Sequence, residues 1–186
     1  MDSRANANID ARPTLIASGG GNPLHLHCPD PEALEPLARA LAAVVRPGDV
    51  LLLHGPLGAG KTTFTQILAR ALGVGEDQYV SSPSFALLHE YQGRLSLAHM
   101  DLYRLADEEE VEEAGLLDAL AEDRLCLIEW PQRLGSLTPA ARLDVSLEPV
   151  AAGGRDLSLV AHGADWQHRL AEVAAQLQPM AGQNPG

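Results

Sequence analysis

The sequence predicts an α/β fold in which a mixed sheet is flanked by helices, as a three-layer sandwich. Two short apolar runs, Val50–Leu53 and Leu125–Ile128, are typical of central strands that are buried on both faces. Apolar residues also recur at helical spacing before and after the first run, and strands that alternate with helices form α/β folds. The 186 residues suit one domain, placed at 23–178 between a flexible leader (1–22) and a flexible tail (179–186).

The composition limits the function of the chain. It carries 13 lysine and arginine residues against 25 aspartate and glutamate residues, a net charge of −12. Direct binding of nucleic acid needs a basic face, so we expect no binding of DNA and contact with RNA only through a partner. No apolar run is long enough to span a membrane. Two cysteines, Cys28 and Cys126, fit a reducing cytoplasm.

The N-terminal half begins with a predicted strand, because apolar and polar residues alternate over Leu24–His27. Asp30 then caps a helix that runs to about Val45. After the first apolar run, a glycine-rich turn leads into a helix that starts at about Lys61. Gly73 is expected to end that helix as its C′ residue.

The C-terminal half predicts two hairpins and two helices. Residues 85–103 form two strands joined around Gln92–Gly93, and a capping-box pattern at Asp107 opens an acidic helix. The last two strands alternate in polarity and are joined through Pro149–Gly154. Asp165 is expected to cap the final helix.

A nucleotide-binding motif follows the first apolar run. Residues 55–62 match G-x-x-x-x-G-K-[ST] between a predicted strand and a predicted helix, which is the context that a P-loop requires. Backbone N–H groups of such a loop converge on phosphate oxygens, so we expect ATP as the ligand of a P-loop NTPase-like fold. Lys61, the only lysine of the sequence, is assigned a catalytic contact to the β- and γ-phosphates, and the Thr62 hydroxyl a contact to Mg²⁺. The nucleotide-binding residues predicted here are Gly55, Gly58, Ala59, Gly60, Lys61, Thr62 and Thr63.

A P-loop also needs a carboxylate on a neighbouring strand to hold the metal or its water shell. Glu129 is the best placed, because it ends the second apolar run; the alternative is an ordinary acidic residue at a strand end. Asp101 is the second candidate and shares one strand face with His99. We assign Asp101 a catalytic role at a metal-bound or attacking water, with a structural pairing to Arg104 as the alternative.

Three further features remain open. The Ser81–Ser84 loop lies where a γ-phosphate sensor is expected, so Ser84 is included as a nucleotide-binding candidate, although a simple turn explains it equally well. His25 and His27 beside Cys28 resemble a metal cluster, but a solvent-facing strand edge explains them better. The acidic run 107–113 is interpreted as a solvated helix face rather than as a docking surface for a basic partner.

Four spaced motifs resemble one known family. They are Gly58–Phe64, Ser82–Phe85, His99–Arg104 and Ile128–Pro131, within a resemblance that covers about residues 24–175. On these motifs the chain resembles the TsaE (YjeE) family, the P-loop ATPases of bacterial tRNA N6-threonylcarbamoyladenosine biosynthesis.

The resemblance implies an ATPase, weak alone, that supports the TsaB–TsaD complex in modifying the adenosine next to the anticodon of tRNAs. It implies Thr62 and Glu129 as Mg²⁺ ligands, and Arg155 as a residue that lines the nucleotide site. The sequence departs from the family at three positions. Pro56 and Leu34 stand where relatives have aspartate and threonine, and Ser84 replaces a threonine.

The residues alone leave two other functions open. A small-molecule kinase would use the same P-loop, but no arginine-rich lid segment is evident. A non-hydrolytic, ATP-dependent assembly module would bind nucleotide without useful turnover.

Overall fold

The computed structural model of the chain describes residues 13–17, 22–121 and 123–178. The strands within these residues are β1 (Thr14–Ala17), β2 (Leu24–Cys28), β3 (Val50–His54), β4 (Leu88–Gln92), β5 (Ser96–Asp101), β6 (Leu125–Glu129), β7 (Arg142–Pro149) and β8 (Arg155–His162). The helices are α1 (Leu34–Val44), α2 (Lys61–Ala71), α3 (Glu108–Glu113), α4 (Leu117–Ala121) and α5 (Ala164–Leu177), with 3₁₀ turns in Pro131–Leu137.

The strands form one mixed sheet in the order β1-β2-β8-β7-β3-β6-β5-β4. The four central strands, β7, β3, β6 and β5, are parallel, and the outer strands are antiparallel. The predicted central strands, Val50–Leu53 and Leu125–Ile128, are therefore direct neighbours. Their register places Glu129 beside Leu53 on one side and beside Asp101 on the other. The carboxyl ends of three parallel strands thus meet at one edge of the sheet.

Helices cover both faces of the sheet, and the predicted α/β fold is confirmed. On one face α1, α2 and α5 enclose a core that includes Leu41, Phe64 and Leu170. On the other face α3, α4 and the 3₁₀ turns pack on β5 and β6 around Met100 and Val111. None of the helices in the described ranges has the length and apolar character that crossing a bilayer requires.

Local chemistry explains where these helices begin and end. The Ala33 N–H donates to the Asp30 carboxylate at 2.9 Å, so Asp30 stabilises the turn that leads into α1, but the N-cap of the helix is Ala33 and not Asp30 as predicted. The α2 helix ends before Gly73, whose φ of +82° is the left-handed conformation of a C′ residue. Asp107 accepts the Glu110 N–H as the cap of α3.

Two further local expectations differ from the structure. Within the segment assigned to a leader, Thr14–Ala17 forms β1, because it pairs with β2 and packs the partly buried Leu15 against the core. Most of that leader and the whole of the tail lie outside the described residues. Asp165 does not cap α5: Gly163 occupies the cap position, and the Asp165 carboxylate pairs with Arg46 and Arg169 instead.

Candidate nucleotide-binding site

The glycine-rich loop connects the end of β3 to the start of α2. Gly58 and Gly60 have φ of +80° and +100°, so the loop uses conformations that favour glycine. Gly60 is the N-cap of α2 and offers no side-chain cap to the first turn of the helix. The N–H groups of this turn therefore remain available to an anion at the positive end of the helix dipole.

The Lys61 ammonium is hydrogen-bonded to the backbone of its own loop. Its Nζ donates to the carbonyl oxygens of Gly55 at 2.8 Å and of Pro56 at 3.0 Å, and lies 4.4 Å from the ring centroid of Trp130. An ammonium has three donors, so one remains for a phosphate oxygen. Burial lowers the pKa of Lys61, and the carboxylates of Glu129 and Asp101 oppose this shift. These carboxylates therefore favour the charged ammonium next to the cavity.

Glu129 joins the phosphate loop to the neighbouring strands. The Thr62 hydroxyl donates to its Oε1 at 2.9 Å, and His99 Nε2 lies 3.0 Å from the same oxygen. Glu129 is 4% exposed and His99 is fully buried. The contact with Thr62 follows from the parallel register of β3 and β6, which brings the end of β6 to the beginning of α2.

Asp101 is tied to a different part of the site. Its two carboxylate oxygens accept hydrogen bonds from the Ser82 hydroxyl at 2.7 Å and from the Tyr103 N–H at 3.0 Å. The alternative partner Arg104 instead stacks its guanidinium 3.9 Å from the ring centroid of Phe85. Asp101 therefore anchors the Ser81–Ser84 loop beside the phosphate loop.

These groups surround a cavity of about 410 Å³. The predicted residues that line it are Gly58, Gly60, Lys61, Thr62, Thr63, Ser84, Asp101 and Glu129. The lining residues that were not predicted are Leu57, Ser82, Tyr103, Arg104 and Trp130. Two of them carry a sequence signal: Trp130 directly follows the strand-end glutamate, and Tyr103 lies two residues after Asp101.

Three predicted residues, Gly55, Ala59 and Arg155, do not line the cavity. Arg155 Nη1 is 3.4 Å from the Ala59 carbonyl oxygen, and a Cβ on Gly60 would overlap the Arg155 guanidinium. A Cβ on Gly55 would likewise meet the carbonyl oxygen of Leu147 in β7. Arg155 and β7 therefore support the phosphate loop from its outer side.

The three departures from the family pattern have separate places in the structure. Leu34 is fully buried in the core and does not line the cavity. The Pro56 carbonyl oxygen accepts one of the Lys61 hydrogen bonds. Ser84 lines the cavity.

The residues present fit a Mg²⁺ site. Mg²⁺ prefers hard oxygen ligands and is bound through one or two carboxylates together with substrate phosphates and water. The Thr62 hydroxyl and the Glu129 carboxylate supply such oxygens 2.9 Å apart, beside the loop that would hold the phosphates. No cluster of three or more His, Cys, Asp or Glu side chains suited to a metal is present in the described residues.

A buried parallel strand, a glycine-rich loop, an enclosed lysine and a strand-end carboxylate bonded to the loop threonine define a P-loop nucleotide-binding protein. The comparisons then specify the family. Residues 28–157 match the profile of the family described as "Threonylcarbamoyl adenosine biosynthesis protein TsaE". The chain belongs to the TsaE family.

Individual relatives agree with this assignment. The chain is 37% identical to the tRNA threonylcarbamoyladenosine biosynthesis protein TsaE of Bacillus subtilis, over 78% of this chain and 90% of the relative. It is 41% identical to the TsaE protein of Treponema pallidum, over 60% of this chain and 82% of the relative. The crystal structure of Bacillus subtilis YdiB matches with a TM-score of 0.71 and 32% identity, covering 82% of this chain and 95% of that one. Membership of the family implies nucleotide binding and a role in tRNA modification.

Proposed function

We propose that this chain binds ATP with Mg²⁺ in the 410 Å³ cavity and hydrolyses it during threonylcarbamoyl modification of the adenosine next to the anticodon of tRNAs. The observation that carries the proposal is the Thr62–Glu129 hydrogen bond. It joins the start of the P-loop helix to a carboxylate on the neighbouring parallel strand, as hydrolysis of a Mg²⁺-bound nucleotide requires.

Each part of the site has a role in this proposal. The backbone N–H groups of the loop and the remaining Lys61 donor bind the phosphates, and the buried ammonium offsets their negative charge. Thr62 and Glu129 would hold Mg²⁺, which neutralises charge on the phosphate oxygens when it is bound. Asp101 orients the attacking water, and its bond to Ser82 keeps the adjoining loop close to the terminal phosphate.

The partners follow from family membership and charge. We propose that the chain acts with TsaB and TsaD in the cytoplasm, and that its own ATPase activity is weak. The net charge of −12 disfavours direct contact with tRNA, so tRNA is reached through the partner complex.

The experiment measures phosphate release from ATP by the chain alone and with TsaB–TsaD, in parallel with threonylcarbamoyl transfer to tRNA. We expect slow release alone, faster release with the complex, and loss of both activities in Lys61→Ala. Phosphate release that the complex does not stimulate, or tRNA modification that Lys61→Ala fully supports, would contradict the proposal.

A further inference from the structure

His99 is a buried polar residue in an apolar part of the sheet. It is fully buried in the middle of β5, and its neighbours on this face of the sheet include Leu97 in β5 and Leu127 in β6. A leucine or methionine would pack in such a place without desolvating a polar group. The imidazole therefore carries a cost that packing alone does not explain.

One ring nitrogen of His99 is used and the other is not. Nε2 lies 3.0 Å from Glu129 Oε1, whereas Nδ1 is buried without a hydrogen-bond partner among the described residues. An ionised carboxylate only accepts hydrogen bonds, so we assign the proton to Nε2, which leaves Nδ1 as a bare acceptor. Buried polar groups without a partner are uncommon, so each one calls for a physical explanation.

The hydrogen bonds of the Glu129 carboxylate indicate why a histidine is buried at position 99. The Glu129 Oε1 accepts two hydrogen bonds. One comes from Thr62 Oγ1 in α2, and the other comes from His99 Nε2 in β5. A single hydrogen bond would let the carboxylate rotate about its terminal torsion, which has a broad preference. Two bonds to the same oxygen fix that rotation and leave Oε2 without a hydrogen bond inside the described part of the chain.

We propose that His99 is a positioning residue that holds the Glu129 carboxylate in the orientation in which it binds Mg²⁺. The inference rests on the proposed function, and it requires no change in the protonation of His99. Replacing a residue that hydrogen-bonds a metal ligand typically lowers metal affinity or activity by about 10- to 100-fold. We expect an effect of about that size when the His99 donor is removed.

The test compares two variants of nearly equal shape. His99→Gln places an amide N–H close to the position of Nε2, whereas His99→Met fills the same space without a donor. Leu97→Met, on the same face of β5, controls for repacking of the strand. Thermal unfolding of all three variants verifies the fold, and His99→Met is expected to be no less stable than His99→Gln, because methionine buries no amide group that needs hydrogen-bond partners.

The binding readout is Trp130 fluorescence, since Trp130 lines the cavity whereas Trp166 is buried in the core. ADP binding is titrated without Mg²⁺ and over a range of Mg²⁺ concentrations. We expect Mg²⁺-free affinity to stay within about twofold in every variant. The Mg²⁺ concentration that gives half of the Mg²⁺-dependent increase in ADP affinity should rise at least about tenfold in His99→Met. It should rise less than about threefold in His99→Gln and Leu97→Met.

Equal Mg²⁺ dependence of His99→Met and His99→Gln, whether both are normal or both impaired, would overturn the inference. In that case Mg²⁺-dependent binding by the wild-type chain would leave the proposed function standing. If the wild-type chain shows no Mg²⁺-dependent binding of nucleotide, the proposed function and this inference both fail.

Discussion

Replacing Glu129 with glutamine tests the carboxylate on which the proposed hydrolysis depends. The amide oxygen of Glu129→Gln can still accept the hydrogen bonds from Thr62 and His99, so the local structure is retained and only the charge is lost. Glu129 is 4% exposed, which places its charge in a partly desolvated site. The substitution therefore isolates the electrostatic contribution of one buried carboxylate.

The magnitude follows from Coulomb's law. Two opposite unit charges about 4 Å apart interact by about 4 kcal/mol at an effective dielectric constant of about 20. The glutamine oxygen keeps a dipole, so we expect a loss of about 3 kcal/mol in the transition state. This corresponds to a decrease in turnover of about a hundredfold or more. ATP affinity should fall less, because the loop and Lys61 still bind the phosphates.

Steady-state phosphate release over a range of Mg²⁺ concentrations measures this loss. Asp101→Asn is the matched control, since it removes the same charge from the directly opposite position of the next parallel strand. We expect Asp101→Asn to lose less activity than Glu129→Gln, most visibly at low Mg²⁺. Near-normal turnover of Glu129→Gln at every Mg²⁺ concentration would refute the reasoning, and a larger loss in Asp101→Asn would assign the metal to Asp101.

Three other predictions follow from charge and packing. Lys61→Arg should weaken ATP binding more than tenfold, measured by Trp130 fluorescence, because a planar guanidinium does not fit between the loop carbonyls and the Trp130 ring. An affinity within about twofold of wild type would contradict this. The isolated chain should show no binding of tRNA at physiological salt in a filter-binding assay, whereas TsaB–TsaD should bring it onto tRNA; a sub-micromolar complex of the chain alone would show that the charge argument is wrong. Burial raises the pKa of Asp144, but the hydrogen bonds and charges of His54 and Arg142 lower this pKa by a larger amount. The pKa of Asp144 therefore lies below its usual value. The ionised carboxylate then stabilises the fold above about pH 4 and loses this effect as the pH falls through its folded pKa. Asp144→Asn should cost about 1–2 kcal/mol in urea unfolding at pH 7, and this cost should shrink progressively as the pH is lowered below about 4; a cost that does not change with pH would be the contrary result.

The parts of the site that could be predicted are those in which sequence neighbours determine the structure. The phosphate loop is one continuous segment between a strand and a helix, so residues 55–62 defined it directly. Glu129 could be predicted because it ends an apolar run, and such runs lie in the centre of a parallel sheet. Ser84 and Asp101 lie at the cavity for a similar reason, since both are near strand ends or the loop that follows the first βα unit.

Contacts that depend on register and side-chain direction could not be predicted. The bond between His99 and Glu129 exists because β5 and β6 pair with His99 opposite Leu127, and nothing in the local sequence specifies that alignment. The contact of the Arg155 guanidinium with Gly60 and the Ala59 carbonyl oxygen depends on the direction of a long side chain from β8, and the predicted role of Arg155 at the nucleotide stays a prediction. The prediction that Asp165 caps α5 was wrong. Its carboxylate pairs instead with Arg46, which is distant in sequence, and with the buried Arg169 one turn further along the helix.

Gly55, at the start of the phosphate loop, has a packing reason to remain glycine besides its backbone angle. The space beside Gly60 is filled by the Arg155 guanidinium, and the space beside Gly55 by a carbonyl oxygen of β7. Gly58, in contrast, has no atom within 4 Å of where its Cβ would lie. A descendant of this chain that no longer bound nucleotide would be released from the demands of phosphate, yet the Leu147 carbonyl oxygen of β7 would still exclude a side chain at position 55, whereas the Arg155 side chain can move away from one at position 60. Survival of part of the glycine pattern in a relative is thus compatible with loss of nucleotide binding, and position 58, where only the backbone angle favours glycine, is where substitution meets no packing barrier.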